Sequence, residues 1–179
     1  MSKSVFFLKK IKKFNKKIIV DGDKSLSIRW ALLASIAVGK SRAYNLLKSE
    51  DVLSTLKSLK KLGVRIRYTK KFYEIYGNGL DSYKFKKNLI INAGNSGTLG
   101  RLIPSLLIKS TKKIKLIGDK SLSKRDFSRV INPLTKFGVT FFPKNKKTLP
   151  LIIEGTNFVR PIKYFENRGS AQCKSSVML

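Results

Sequence analysis

The sequence predicts an α/β protein assembled from βαβαββ units, and three observations carry that reading. The segment Asp51–Val64 (DVLSTLKSLKKLGV) returns further along as Asp126–Val139 (DFSRVINPLTKFGV). Each copy runs into a strand-like close, YEIYG ending at Gly77 and LIIEG ending at Gly155. Each is preceded by a polar turn leading into an apolar helix, GDKSLSIRWALLASIAV and then GNSGTLGRLIPSLLI, and a third opening, RGSAQCKSSVML, starts at Arg168. Repeats of this size are packing units that need neighbours. The chain therefore reads as two complete units and the start of a third, within a larger protein.

In order along the chain, Phe6–Val20 alternates loosely, and the β-branched end Lys17–Val20 reads as a strand. Asp21–Ser27 is a polar turn, and the almost wholly apolar Ile28–Val38 predicts a helix buried on most sides, capped by Gly39. Ser41–Leu47 predicts a short strand and Ser49 an N-cap for a helix over Asp51–Leu62. That helix sets Val52, Leu56, Leu59 and Leu62 on one face, with Lys57, Lys60 and Lys61 outward. Gly63 ends it, and Val64–Tyr68 with Tyr73–Tyr76 form a hairpin. The second copy repeats the order: strand Leu89–Asn92, helix Thr98–Ile108, strand Ile114–Ile117, helix Phe127–Phe137, and a hairpin of Val139–Phe142 with Leu151–Ile153. Pro104 and Pro133 fall inside the two helices, Pro104 as a kink position and Pro133 either as a kink or as a sign that the helix starts later. With the apolar first helix of each unit inward, two complete units and the opening of a third imply helices packed centrally within a ring of small sheets. The domain reading is an N-terminal segment, residues 1–20, followed by residues 21–179, with units at 21–80 and 88–156 and a third beginning at 163–179.

Composition narrows the class. Thirty-nine Lys and Arg against ten Asp and Glu give a net charge of +29, which favours anionic partners. The lysines are spread along the whole chain, and no helix-turn-helix, zinc-finger spacing or aromatic RNA-binding signature accompanies them. A compositional bias toward lysine is the simpler cause, and no specific nucleic acid is expected. One cysteine, Cys173, excludes an internal disulfide and fits a reducing compartment. The longest apolar run near the start, Val5–Leu8, is too short for a secretory signal. No stretch approaches the ~20 residues of a membrane span. Cytoplasm is the expected location, with no membrane partner.

The polar turns recur at the same place in each unit, just before a buried helix, where backbone N–H groups are unsatisfied donors that favour anions. The first supplies Asp23, Lys24, Ser25, Ser27 and Arg29. The second supplies Asn92, Asn95, Ser96, Gly97, Thr98 and Arg101, and the third Ser170, Ala171, Gln172 and Lys174. GDKSLSKR, from Gly118, adds Lys124 and Arg125. Any one such turn alone is most simply a helix cap. Repeated in register with a cation beside each, the set suits a small ligand bearing phosphate and carboxylate groups. There is no ATP-site GxxxxGK[ST], GxGxxG, metal cluster or catalytic triad. Cys173 without any histidine is a poor nucleophile.

GDKSLSIR (Gly22–Arg29), NAGNSGTLGRL (Asn92–Leu102), GDKSLSKR (Gly118–Arg125) and SAQCKS (Ser170–Ser175) match, in order, the motifs of the 3-phosphoshikimate 1-carboxyvinyltransferase (EPSP synthase) family. The resemblance runs from about Lys16 to the last residue. The GNSGT and SAQ-K forms are more like its glyphosate-tolerant branch. It implies an inside-out α/β barrel of two similar domains, each of three βαβαββ units, with substrates between them. It implies transfer of the enolpyruvyl group of phosphoenolpyruvate to the 5-hydroxyl of shikimate 3-phosphate, releasing phosphate, on the route to chorismate and the aromatic amino acids. Under this resemblance Lys24 is the catalytic candidate and touches both substrates. Ser25, Arg29, Ser170 and Ala171 hold shikimate 3-phosphate; Gly97 and Arg125 hold phosphoenolpyruvate; Gln172 reaches both. Asn95 and Arg101 shape the pocket. No metal or organic cofactor is expected, and the family's members are usually monomers. The acid/base carboxylates belong to a second half that this chain lacks, so residues 1–20 would open the missing partner domain and the fragment alone would turn over negligibly.

Two positions depart from the family pattern. Asp126 stands where most members have proline, beside the phosphate-binding Arg125, and Gly100 is unusual inside a helix opening. The related UDP-N-acetylglucosamine enolpyruvyl transferase is less similar at GDKS and GNSGT. A non-catalytic module binding nucleic acid through its positive surface would show steeply salt-dependent binding and no saturable shikimate 3-phosphate site.

Overall fold

The computed structural model describes residues 10, 13, 15–167 and 169–179. The apolar run Val5–Leu8 and Arg168 lie outside the described residues. The elements are α1 (Lys24–Ile36), β1 (Val38–Tyr44), α2 (Glu50–Lys61), β2 (Arg65–Tyr68), β3 (Phe72–Asn78), β4 (Leu89–Asn92), α3 (Gly97–Leu106), β5 (Ile114–Ile117), a 3-10 turn (Leu122–Lys124), α4 (Ser128–Phe137), β6 (Thr140–Phe142), β7 (Leu151–Glu154) and α5 (Ala171–Met178).

The strands divide into two open sheets. The first is antiparallel, ordered β1-β3-β2, with Arg42 opposite Glu74 and Glu74 opposite Arg67. The second is mixed, ordered β4-β5-β7-β6, with β4 parallel to β5 and the other pairs antiparallel. This corrects the barrel expectation: each sheet ends on an edge strand at both sides, and no described strand pairs across from one sheet to the other. The physical reason lies in the ladders. Strand pairing stays within a unit and leaves each sheet open, and the units meet through helices and side chains instead. The expected strand at Lys17–Val20 is also absent. The segment joins no ladder, and Ile18, Ile19 and Val20 are exposed.

Helix packing joins the two halves. α1 packs on α2, β3 and α3; α3 packs on α5; α4 packs on α5; and α2 reaches β4. One apolar core results, with Ile28, Leu32, Val52, Leu59, Leu99, Leu102 and Ile103 all at 0% exposure. At ~25 cal/mol per Å2 this burial is the main driving force for the fold. No helix of the described residues is long and apolar enough to cross a membrane.

The repeated closing glycines have a steric cause. A Cβ on Gly77 would stand 2.2 Å from the Ala37 carbonyl oxygen, and one on Gly155 would stand 2.3 Å from that of Ile108. In both units the last strand passes against the carbonyls that end the first helix, and only glycine permits that approach. Gly63 and Gly138 close the second helices at φ +86° and +112°, the left-handed cap conformation.

Candidate functional site

Three helix starts and one turn converge. Asp23 caps α1, its Oδ1 accepting from the Leu26 N–H at 2.7 Å. Ser96 caps α3, with Oγ 3.2 Å from the Leu99 nitrogen, and Ser170 caps α5, with Oγ 3.3 Å from that of Cys173. The capping reading of the turns is therefore correct for these three residues, and the residues just inside each cap face a common space. An open cleft of about 530 Å3 is lined by Lys24 and Ser25 from α1, Glu50 and Asp51 from α2, Asn95, Gly97, Thr98 and Arg101 around α3, Arg125 after the 3-10 turn, and Gln172 of α5. A second hollow of about 420 Å3 shares Arg101, Arg125 and Gln172 and adds Asp126, Arg129, Ser170 and Cys173.

Local packing sets each side chain. The turn before α3 is fastened to the end of β5: the Ala93 N–H donates to the Ile117 carbonyl and the Asp119 N–H to that of Gly94, at 2.9 and 2.8 Å. Arg101 projects one turn into α3. Its Nη1 donates to Gln172 Oε1 at 3.0 Å, while Gln172 Nε2 donates to Thr98 Oγ1 at 3.1 Å, so α5 is tied to α3 through the cleft wall. Arg125 Nη2 donates to Asn95 Oδ1 at 2.8 Å. Lys24 Nζ lies 3.2 Å from Asp51 Oδ2. Gly97 lies directly beneath two guanidinium groups. A Cβ there would lie 2.7 Å from Arg101 Nη1 and 3.1 Å from Arg125 Nη1, which places both guanidinium groups against the start of α3. Burial pulls the Arg101 pKa below its usual value, and Arg125 and Arg129 push the same way. It remains a cation at any ordinary pH, so its incomplete solvation favours a bound anion.

Not every expected residue reaches this cleft. Arg29 lies instead beside Leu32, Leu33, Leu102 and Met178, in an apolar hollow between α1, α3 and α5. Ala171 is exposed and lines neither space. Lys24 and Ser25 stand inside α1, not on a loop before it. Glu50, Asp51 and Arg129 border the site without having been marked as candidates by the sequence. A signal for Asp51 exists, since Asp51 and Asp126 open the repeated segment in register and both border the site.

Both departures have structural roles. Gly100 is buried, and a Cβ there would meet the Phe127 ring at 3.2 and 3.3 Å. Its missing side chain therefore makes room for Phe127, 2% exposed, two residues beyond Arg125. The glycine lets the Arg125 segment seat on α3, where Arg101 also lies 5.4 Å from the Phe127 ring. Asp126 turns its carboxylate to the start of α4, accepting from the Ser128 N–H at 2.7 Å and the Ser128 hydroxyl at 2.8 Å. These bonds, the backbone one foremost, hold its pKa below the usual carboxylate range. The aspartate is thus engaged by α4.

A family model described as EPSP synthase (3-phosphoshikimate 1-carboxyvinyltransferase) matches residues 8–179. The chain belongs to the EPSP synthase family. Its identity to the 3-phosphoshikimate 1-carboxyvinyltransferase of Streptococcus mutans serotype c is 39% over 160 residues, which take in 89% of this chain and 37% of that one. Its identity to the enzyme of the same name from Ruthia magnifica is 45% over 160 residues, or 89% of this chain and 36% of that one. The crystal structure of EPSP synthase from Acinetobacter baumannii superposes with a TM-score of 0.83 at 34% identity, over 90% of this chain and 37% of that one. The chain thus spans little more than a third of the length of the relatives it matches.

Proposed function

We propose that residues 21–179 form part of the shikimate 3-phosphate-binding domain of an enzyme that transfers the enolpyruvyl group of phosphoenolpyruvate to the 5-hydroxyl of shikimate 3-phosphate, releasing phosphate. In this reading residues 1–20 begin the partner domain, and the units are 21–80, 88–156 and a third opening at 163–179. The observation that carries it is the convergence of Lys24, Arg101 and Arg125 on one cleft in a chain of the EPSP synthase family. Two anionic substrates placed side by side repel, and cations held between them offset that repulsion.

Lys24 is the residue expected to meet both substrates, and Gly97 and Arg125 to hold phosphoenolpyruvate, with Arg125 pairing to its phosphate. Gln172 spans both ligands, its carboxamide already oriented by Arg101 and Thr98. In the reaction a bond forms from the substrate hydroxyl oxygen to the enolpyruvyl carbon, the bond to phosphate oxygen breaks, and the hydroxyl proton leaves. The proton carriers are assigned to the part of the family sequence that this chain does not span.

The test is an amide-resolved NMR titration of the chain with shikimate 3-phosphate at moderate salt. Saturable shifts at Lys24, Ser25 and Ser170–Gln172, lost in Lys24→Ala, are expected. A dispersed spectrum that ignores the ligand would overturn the assignment.

A further inference from the structure

The solvent face of the first sheet carries chemistry that the cleft does not use. In a chain of 30 lysines and nine arginines, arginine marks positions where a planar guanidinium matters more than charge alone. Arg29, Arg101, Arg125 and Arg129 lie at or near the cleft and its adjoining hollows. Three more, Arg42, Arg65 and Arg67, share this sheet face. Strand register arranges it in rows: Tyr44 beside Phe72; Arg42, Glu74 and Arg67; then Lys40, Tyr76 and Arg65. Alternation along the strands spaces successive rows by ~7 Å.

The guanidinium groups are preset on the rings. Arg42 lies 4.9 Å from the Phe72 ring centroid, and Arg65 lies 4.7 Å from that of Tyr76, with Lys40 at 5.7 Å from the same ring. Glu74, 3% exposed, is the one carboxylate of these rows. It lies beneath them, accepting from Arg42 Nε at 2.7 Å and from the Tyr76 hydroxyl. Tyr44 stands free at the sheet edge, 66% exposed, edge-on to Phe72.

We infer that this sheet face binds single-stranded nucleic acid without sequence preference. Lys40, Arg65 and Arg67, with Arg42 already paired to Glu74, track a phosphate backbone, while the Tyr44 ring and the guanidinium groups set against Phe72 and Tyr76 offer surfaces on which bases stack. A purely electrostatic partner, such as a sulfated polysaccharide or a lipid surface, explains the cations but not the aromatic rows. The inference is independent of the cleft and of the reaction proposed for it.

The test is fluorescence anisotropy of the whole chain with a labelled oligouridylate of roughly a dozen nucleotides. Three variants are compared, each checked for unchanged circular dichroism. Tyr44→Ala should weaken binding at least about fivefold, with Tyr44→Phe restoring it. Arg65→Gln/Arg67→Gln should lower the slope of log affinity against log salt by about 1.4, two phosphate contacts at ~0.7 each. Lys57→Gln/Lys60→Gln, on the far side of α2, should leave affinity within about twofold if the sheet face holds the strand. Equal losses in the two double variants, an indifferent Tyr44→Ala, or equal competition by heparin would each overturn the inference in favour of diffuse charge attraction.

Discussion

Gly97→Ala should separate the fold from the anion cleft. The added methyl would stand 2.7 Å from Arg101 Nη1 and 3.1 Å from Arg125 Nη1. Ordinary contact begins near 3.4 Å, so the two guanidinium groups must retreat by about 0.7 and 0.3 Å. Both are far ends of flexible side chains, and alanine in a helix is favoured over glycine by up to ~1 kcal/mol, so folding should survive. The retreat displaces Arg101 Nη1 from Gln172 Oε1, now at 3.0 Å, and Arg125 from its seat beside Asn95. A hydrogen bond to a charged group is worth ~1.5–3 kcal/mol, so affinity for phosphoenolpyruvate should fall roughly 10- to 100-fold. Calorimetric titration of the two proteins with phosphoenolpyruvate, beside their thermal unfolding curves, reads both quantities. Undiminished affinity would refute the placement of these guanidinium groups at the binding surface. Loss of folding would refute the view that they are the parts that yield.

Three other perturbations test different links. Ser105 and Ser176, 2% and 1% exposed, share a 2.7 Å hydrogen bond between α3 and α5. Either single alanine variant strands a buried hydroxyl at ~1–3 kcal/mol, while the double variant should recover much of that in a denaturant-unfolding cycle. Asp51→Asn should cost under ~1 kcal/mol of stability, because Lys24 is 53% exposed in the pair. It should also tighten binding of inorganic phosphate by about fivefold through removal of a competing charge worth ~1 kcal/mol, as read by calorimetry. Tyr83, whose hydroxyl donates to Ser35 Oγ at 2.7 Å, has its pKa pushed up to about 12, chiefly by burial. The neutral phenol is the form the fold retains, so its stabilisation is complete below the ordinary value of 10.0 and fades as pH rises toward about 12. Alkaline unfolding curves should show that fall in the native chain and lose this part of it in Tyr83→Phe.

The parts of the fold governed by local pattern are legible in the sequence. β4 and β5 fall at Leu89–Asn92 and Ile114–Ile117 as expected, and Val52, Leu56, Leu59 and Leu62 form the buried face of α2 and its cap. What depends on a single side chain or on partners is not. α1 begins at Lys24, not Ile28, because the Asp23 carboxylate caps Leu26 and makes the polar stretch its first turn. Gly39 belongs to β1, since the chain leaves the helix at Ala37 and is already extended there. Lys17–Val20 has strand composition but no neighbouring ladder, and composition alone supplies no hydrogen-bond partner. For the site, register along the repeats marks the turns and their cations. The pairing of Lys24 with Asp51, and the separation of Arg29 from the other cations, require the packing of α1 on α2 and α3.

The choice of partners at the cleft explains how three cations can be held together and remain available. Arg101 is held by the carboxamide of Gln172, and Arg125 by that of Asn95. An amide oxygen fixes a guanidinium in place without cancelling its charge, whereas a carboxylate would fix it and neutralise it. The two arginines are therefore positioned in advance and still attract an anion. Lys24 is treated differently, since Asp51 neutralises it and leaves its flexible ammonium more than half exposed. An arriving anion gains the arginines at little reorganisation but must compete with Asp51 for the lysine. The arginines thus offer preset contacts to an anion, whereas Lys24 becomes available only where that anion displaces Asp51.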